Sequence, residues 1–193
     1  MPNQLILASS SRYRKEMLQR LRLDFDCISP SLDETPLEGE TALGNCIRLA
    51  RQKALAVADM HPSAIVIGSD QVADVNGQAI SKPGNHENAI AQLRSMSGKT
   101  IIFQSAVCIT QLSSKKTIEF CIPTEVEFRR LTDDEIERYL LAEKPYDCAG
   151  SAKSEGLGIT LLDRIESRDP TALIGLPLIE TAKALRDFGL VLP

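Results

Sequence analysis

The stretch AIVIGSDQV, residues 64–72, decides how the rest of this chain is read. Ile65, Val66 and Ile67 form a short β-branched apolar run of the kind shown by a strand buried on both faces. Gly68 predicts a close turn of the backbone, leaving Ser69, Asp70 and Gln71 at the strand's carboxyl end. Open α/β sheets bind ligands at that end, because loops leaving it are anchored by strands yet face a crevice. An aspartate held there can orient a water or bind a metal ion. The plainer alternative is that Asp70 caps a turn.

On the amino-terminal side, residues 4–8 read as a first strand and residues 12–21 as a helix with Met17, Leu18 and Leu21 on its apolar face. Between them lie Ser9, Ser10 and Ser11. A strand, small hydroxyl residues and a helix start make an anion-binding arrangement, because unpaired N–H groups and the positive dipole end face the loop. Arg12 and Arg14 add charge, and arginine grips phosphate in a bidentate way. An ordinary serine cap with solvated arginines is the alternative. Residues 25–29 read as a second strand. The acidic loop PSLDETPLEGE, 30–40, offers Asp33 and Glu34 as metal ligands or as solvated carboxylates. A long helix over 41–60 repeats Leu43, Ile47, Ala50, Ala54 and Val57 at three- and four-residue steps. Arg48, Arg51, Gln52 and Lys53 crowd its middle, from which one cation can point at a cleft.

On the carboxyl side, Val75-Asn76-Gly77-Gln78 signals a tight hairpin, with Lys82 just beyond it in SKP, 81–83. A helix over 85–97 stops at Gly98. A strand over 100–112 pairs, across a turn at 113–115, with an alternating strand over 118–129 that is interrupted near Pro123. Thr132 and Glu135 form a capping box opening a helix to 143. The loop CAGSAKSEGLGI, 148–159, carries Lys153 and Glu155 into a strand over 159–165, and Pro177 opens a last helix over 178–188.

Length and composition exclude whole classes. The 193 residues, 43% hydrophobic and 25% charged, belong to an ordinary globular protein rather than a disordered one. No apolar run is long enough to span a membrane, and MPNQLILASSSR lacks the basic leader and apolar core of a secretory signal. Five cysteines, odd in number and without a CxxC pair, read as buried free thiols of a reducing compartment. With only His61 and His86, a zinc cage is disfavoured. A net charge of −4 argues against a nucleic-acid polymer as partner, but a nucleotide needs only a local cluster of cations.

Taken together, LASSSRYRKEML (7–18), DETP (33–36), QKA (52–54), IGSDQ (67–71), SKP (81–83), CAGS (148–151) and GLP (175–177) resemble the Maf family of nucleotide pyrophosphatases from end to end. The segment SAKSEGLGITL, 151–161, resembles its YceF-type branch, which acts on 7-methyl-GTP. Two positions depart from the family pattern: Ser-Pro-Arg-Arg has become Ser11-Arg12-Tyr13-Arg14, and Gly-Lys-Pro has become Ser81-Lys82-Pro83. Ser81 is tolerated unless its position needs positive φ.

The resemblance implies a Maf/Ham1-like α/β fold, an elongated mixed sheet with flanking helices and two lobes around a central cleft, as a single domain over 1–193. It further implies a cytoplasmic enzyme, often a homodimer, that uses a divalent cation (Mg²⁺ or Mn²⁺) to convert a nucleoside triphosphate to the monophosphate and pyrophosphate. Asp70 is then the proton acceptor, and Tyr13, Gln71 and Glu155 select the substrate. Ser9, Ser11, Arg14, Lys53 and Lys82 are the phosphate-binding candidates, and Glu34 and Asp70 the metal ligands. An ionised Glu155 carries only acceptors, matching the two adjacent donors of guanine's pairing edge, whereas glutamine would suit uracil or thymine. Methylation at the 7-position makes guanine cationic, which the Tyr13 ring face favours by about 0.5–2 kcal/mol. A dTTP and UTP pyrophosphatase of the same family, and a non-catalytic nucleotide-binding regulator of cell division, are the competing readings.

Overall fold

The run at 65–67 does lie at the centre of a sheet, but the strand it begins is much longer than a turn at Gly68 allows. The computed structural model describes residues 4–75 and 77–193. Residues 1–3, where the stretch read as carrying no leader begins, and the hairpin residue Asn76 lie outside it. The elements in order are β1 (Leu5–Leu7), α1 (Arg12–Gln19), β2 (Asp26–Cys27), α2 (Ala42–Ala58), β3 (Ile65–Val75), β4 (Gln78–Ile80) and α3 (His86–Met96). There follow β5 (Thr100–Gln111), β6 (Lys116–Phe128), α4 (Asp133–Glu143), β7 (Leu162–Glu166) and α5 (Leu178–Asp187).

The strands form one mixed sheet in the order β2-β1-β3-β5-β6-β7, with β4 also on β3. β1 runs parallel to β2 and β3, and the remaining pairs are antiparallel. β3 is the spine. On one edge it pairs with β5 from Val66 to Asp74. On the other edge β1 covers residues 65–67 and β4 covers residues 73–75. Between those two neighbours, residues 68–72 face no strand among the described residues. That gap opens the crevice, and Asp70 sits in the middle of it.

Gly68 therefore does not turn the chain; Asp70 is mid-strand, and it is β1, not β3, that ends beside it. The glycine is required because α2 crosses here. A Cβ at residue 68 would lie 2.2 Å from the Ala50 carbonyl oxygen and 2.5 Å from the Ala54 nitrogen. Two apolar clusters fill the opposite ends of the long strands. Leu5, Leu7, Leu18, Ile65, Ile67 and Leu185 make one. Leu93, Met96, Phe103, Val126, Phe128 and Leu140 make the other. The crevice lies between them.

Other expectations are corrected locally. β6 runs unbroken through Pro123, which pairs with Gln104. The other edge of β6 is covered by β7 only from Glu125 onward, so the missing proline N–H faces no ladder there. The last strand begins at Leu162, because residues 157–161 form a 3₁₀ turn. β2 shrinks to two exposed residues at the sheet edge. Leu43 is 41% exposed; the buried face of α2 is instead Ala42, Cys46, Leu49, Ala50, Lys53 and Val57. All five thiols are free, but Cys27, on the edge strand, is exposed, and Cys121 and Cys148 are half-buried. Ser81 is not among the positive-φ residues, so the loss of glycine there adds no backbone strain. No helix among the described residues is long and apolar enough to cross a membrane.

Gly68→Ala forces α2 off β3 and lowers stability by about 3 kcal/mol, read as a drop in the urea midpoint. An unchanged midpoint would mean that this helix–strand approach is not the tight contact described.

Candidate active site

Because side chains alternate along a strand, β3 sends Asp70 toward α2 and sends Ser69 and Gln71 to the opposite face. On the α2 side, Lys53 lies one helical turn from Ala50 and Val57 and so falls on the buried face, 8% exposed. Its ammonium donates to Asp70 Oδ1 at 2.6 Å and pairs with Glu34 Oε1 at 2.8 Å. Asp70 is itself only 6% exposed, whereas the Glu34 side chain is 57% exposed. Partial burial works against ionisation of Glu34. The hydrogen bond and charge of Lys53, with Lys82 and Arg14 behind it, outweigh that and hold the carboxyl below its usual range.

The acidic loop reaches this point because Glu40 anchors it. Its carboxylate takes a two-pronged contact from Arg48, at 2.7 Å to each oxygen, and accepts from the Leu37 N–H and the Asn45 amide. Arg48 also donates to the Thr35 carbonyl. Of the cations crowding α2, then, Arg48 builds the loop, Arg51 pairs with Glu119 on β6, and Lys53 enters the site.

On the other face of β3, the loop over residues 169–177 is held by its carbonyls. Ser69 Oγ and Arg14 Nε each donate to Gly175 O at 3.1 Å. Gln71 Nε2 donates to the carbonyls of Ala172 (3.0 Å) and Leu173 (2.9 Å), and Ser105 Oγ donates to Ala172 O. Asp169, fully buried, accepts from the Thr171 and Ile179 N–H groups and so ties this loop to the start of α5. None of these loop carbonyls was singled out in the sequence; the only trace was the SRDP and GLP punctuation.

A cavity of about 250 Å³ joins these parts. Ser11, Arg14, Glu34, Lys53, Asp70 and Lys82 line it, and so do Tyr13, Gln71 and Glu155. Asp70 and Glu155 thus open onto one groove. Ser9 does not line it; 8% exposed, it accepts from the Ser11 N–H and sits 3.5 Å from Arg14 Nη1. Ser11 caps α1 by accepting from the Arg14 N–H. Asp147, which sequence reasoning passed over, and Cys148 of the CAGS motif also line the groove. Asp147 accepts from the Tyr13 hydroxyl at 3.2 Å, and burial pushes the Cys148 thiol up to about 12, so it stays protonated.

One expectation about the far end changes. The Tyr13 ring was read as a free platform, but the Arg12 guanidinium already lies 4.7 Å from its centroid and Lys153 Nζ lies 6.0 Å away. The ring therefore already has cations against it. Burial pushes the Tyr13 phenol well above its ordinary range, so it remains a donor. Lys153 does not neutralise Glu155; it pairs with Glu143 at 2.7 Å, and Glu155 has no ion-pair partner among the described residues.

No group of three or more His, Cys, Asp or Glu suited to caging a metal occurs among the described residues. What the cleft does hold is two carboxylates, Glu34 and Asp70, converging on one ammonium. That donor set suits Mg²⁺, which takes one or two carboxylates and completes its shell with substrate phosphates and water.

Fold and site together define an α/β protein with a polar cleft in a sheet gap, cations gathered near the strand acid and a second carboxylate farther along. The chain belongs to the Maf family: the family model described as Maf-like protein matches residues 4–188. A Polaromonas protein named 7-methyl-GTP pyrophosphatase is 57% identical over 188 residues, covering 97% of this chain and 86% of its own. One from Bordetella avium with the same name is 56% identical over 186 residues, covering 96% and 93%. Among solved structures, the Staphylococcus aureus Ham1 protein aligns over 65% of this chain and 72% of its own at a TM-score of 0.49 and 16% identity.

Arg48 and its partners hold the Glu40 carboxyl down at about 2. A folded-state value below the unfolded one contributes stability that is complete above the ordinary carboxylate range and is lost as pH falls toward 2. Glu40→Gln therefore melts below the wild type at pH 7, and the gap closes on acidification. A gap that stays constant with pH, measured by thermal unfolding, would contradict this anchoring role.

Proposed function

We propose that this chain is a cytoplasmic nucleoside triphosphate pyrophosphatase, one domain over residues 1–193, that hydrolyses 7-methyl-GTP to 7-methyl-GMP and pyrophosphate. The observation that carries the reading is the cleft itself, with Asp70 among cations at one end and Glu155, without an ion-pair partner among the described residues, farther along. Relatives more than half identical over nearly the whole chain, named for that activity, support it.

Cleavage requires a water oxygen to attack the α-phosphorus while the bond to the bridging oxygen of the β-phosphate breaks and pyrophosphate leaves. Asp70, held by the Lys53 ammonium in a nearly dry setting, takes the proton that the water loses. General-base help of this kind is worth about 10²–10⁴ in rate. Arg14, Lys53 and Lys82 offset the charge of the triphosphate, and the amides at the start of α1 add partial positive charge. A divalent cation held by Glu34 and Asp70 would supply further charge neutralisation at the phosphates. At the base end, the two Glu155 oxygens accept the ring N–H and exocyclic amine of guanine. Gln71, whose amide nitrogen is spent on the carbonyls of Ala172 and Leu173, selects substrate by fixing the wall of the groove. A homodimer is consistent with this reading, and neither a nucleic-acid polymer nor a membrane has a part in it.

Pyrophosphate release measured on a panel of nucleoside triphosphates with Mg²⁺ or Mn²⁺ tests the proposal. 7-Methyl-GTP should be the best substrate; a preference for dTTP or UTP, or no release at all, would overturn it. Asp70→Asn should lose about 10²–10⁴ in kcat while still binding nucleotide. Glu155→Gln should shift preference away from guanine.

A further inference from the structure

The Glu155 loop is assembled around a single half-buried carboxylate. Glu143 is the last residue of α4, and its side chain is 15% exposed. Its Oε1 pairs with Lys153 Nζ at 2.7 Å, and its Oε2 accepts from the Leu157 N–H at 2.8 Å. Those partners stand two residues before and two residues after Glu155. Between them Gly156 passes so close that a Cβ would lie 2.7 Å from Glu143 Oε2. The loop is also fixed at its start, where the Lys153 N–H donates to the hydroxyl of buried Tyr139 at 3.1 Å. Glu143 thus does two things for Glu155. It fixes the backbone just after Glu155 through the Leu157 N–H, and it occupies the side-chain ammonium of Lys153, two residues before Glu155.

We propose that Glu143 is a positioning residue for base selection: it holds Lys153 away from Glu155, so that the Glu155 carboxylate stays free to accept the donors of the base. The proposal rests on the reading of Glu155 given above. A Lys153 ammonium released from Glu143 has Glu155 as a carboxylate within the same loop. An ion pair there would satisfy the acceptors that guanine needs.

Glu143→Gln is the test, because its amide oxygen can still accept from Leu157 while the charge that holds Lys153 is gone. The expected result is a rise of about tenfold in KM for 7-methyl-GTP with kcat nearly unchanged. Lys153→Met added to Glu143→Gln should bring KM back toward the wild-type value, which a loop that has merely loosened would not do. A crystal structure of Glu143→Gln should place Lys153 Nζ on the Glu155 carboxylate. An unchanged KM, a rise that Lys153→Met does not relieve, or a Lys153 that stays away from Glu155 would each overturn the proposal. Glu155→Gln measured alongside separates the two levels. A changed base preference in Glu155→Gln with none of these effects in Glu143→Gln refutes the positioning role alone. No change in Glu155→Gln refutes the base reading beneath it.

Discussion

The ammonium of Lys53, bridging Asp70 and Glu34, is the contact on which the rest of this structure depends. It is nearly buried, as is Asp70, and a charge in that setting is tolerated only when paired. Removing Lys53 would leave Asp70 desolvated and alone, at about 3–5 kcal/mol. Such a pair is weak evidence of a stability device, since apolar residues of equal size often serve a core as well. What it does secure is the position of the Asp70 carboxylate in a nearly dry place, next to the opening of a cleft. Glu34 is the exposed third member, and Glu40 with Arg48 brings it there.

The cleft exists because β3 outruns its neighbours. β1 and β4 each cover one end of it and leave residues 68–72 open between them. A gap in a sheet exposes backbone groups and side chains that would otherwise be covered, and this chain fills its surroundings with polar contacts. Ser69, Gln71, Ser105 and Arg14 all donate to carbonyls of one short loop, and no buried side-chain nitrogen or oxygen among the described residues lacks a partner. A satisfied network of this kind holds the groove wall rigid beside Asp70.

The sequence carried much of this, unevenly. The β-branched run, the capping box at Thr132 and Glu135, and the apolar spacing in the long helix are local signals, and their elements formed as expected. The motifs that resemble the family lie far apart in the chain and meet in one cavity. Gly68 shows where local reading ends. A glycine that turns a chain and a glycine that admits a crossing helix look alike until the helix is in place. Lys53 is one of three cations in the middle of the long helix; the QKA motif points to it by resemblance, and its helical phase relative to Ala50 and Val57 gives the physical reason. Lys153 is the reverse case. Its nearest acid in sequence is Glu155, but a carboxylate ten residues upstream on α4 claims it, because the loop folds back over the end of that helix. Pairings of that sort are set by tertiary packing and leave no local trace.

The central claim is that Asp70 and Glu155 address the two ends of one bound nucleotide. A crystal structure with a non-hydrolysable 7-methyl-GTP analogue and Mg²⁺ tests it most directly. The account predicts the α-phosphate beside Asp70 and the pairing edge of the base on Glu155. A nucleotide seated outside this groove, or one with its base at Asp70, would contradict it.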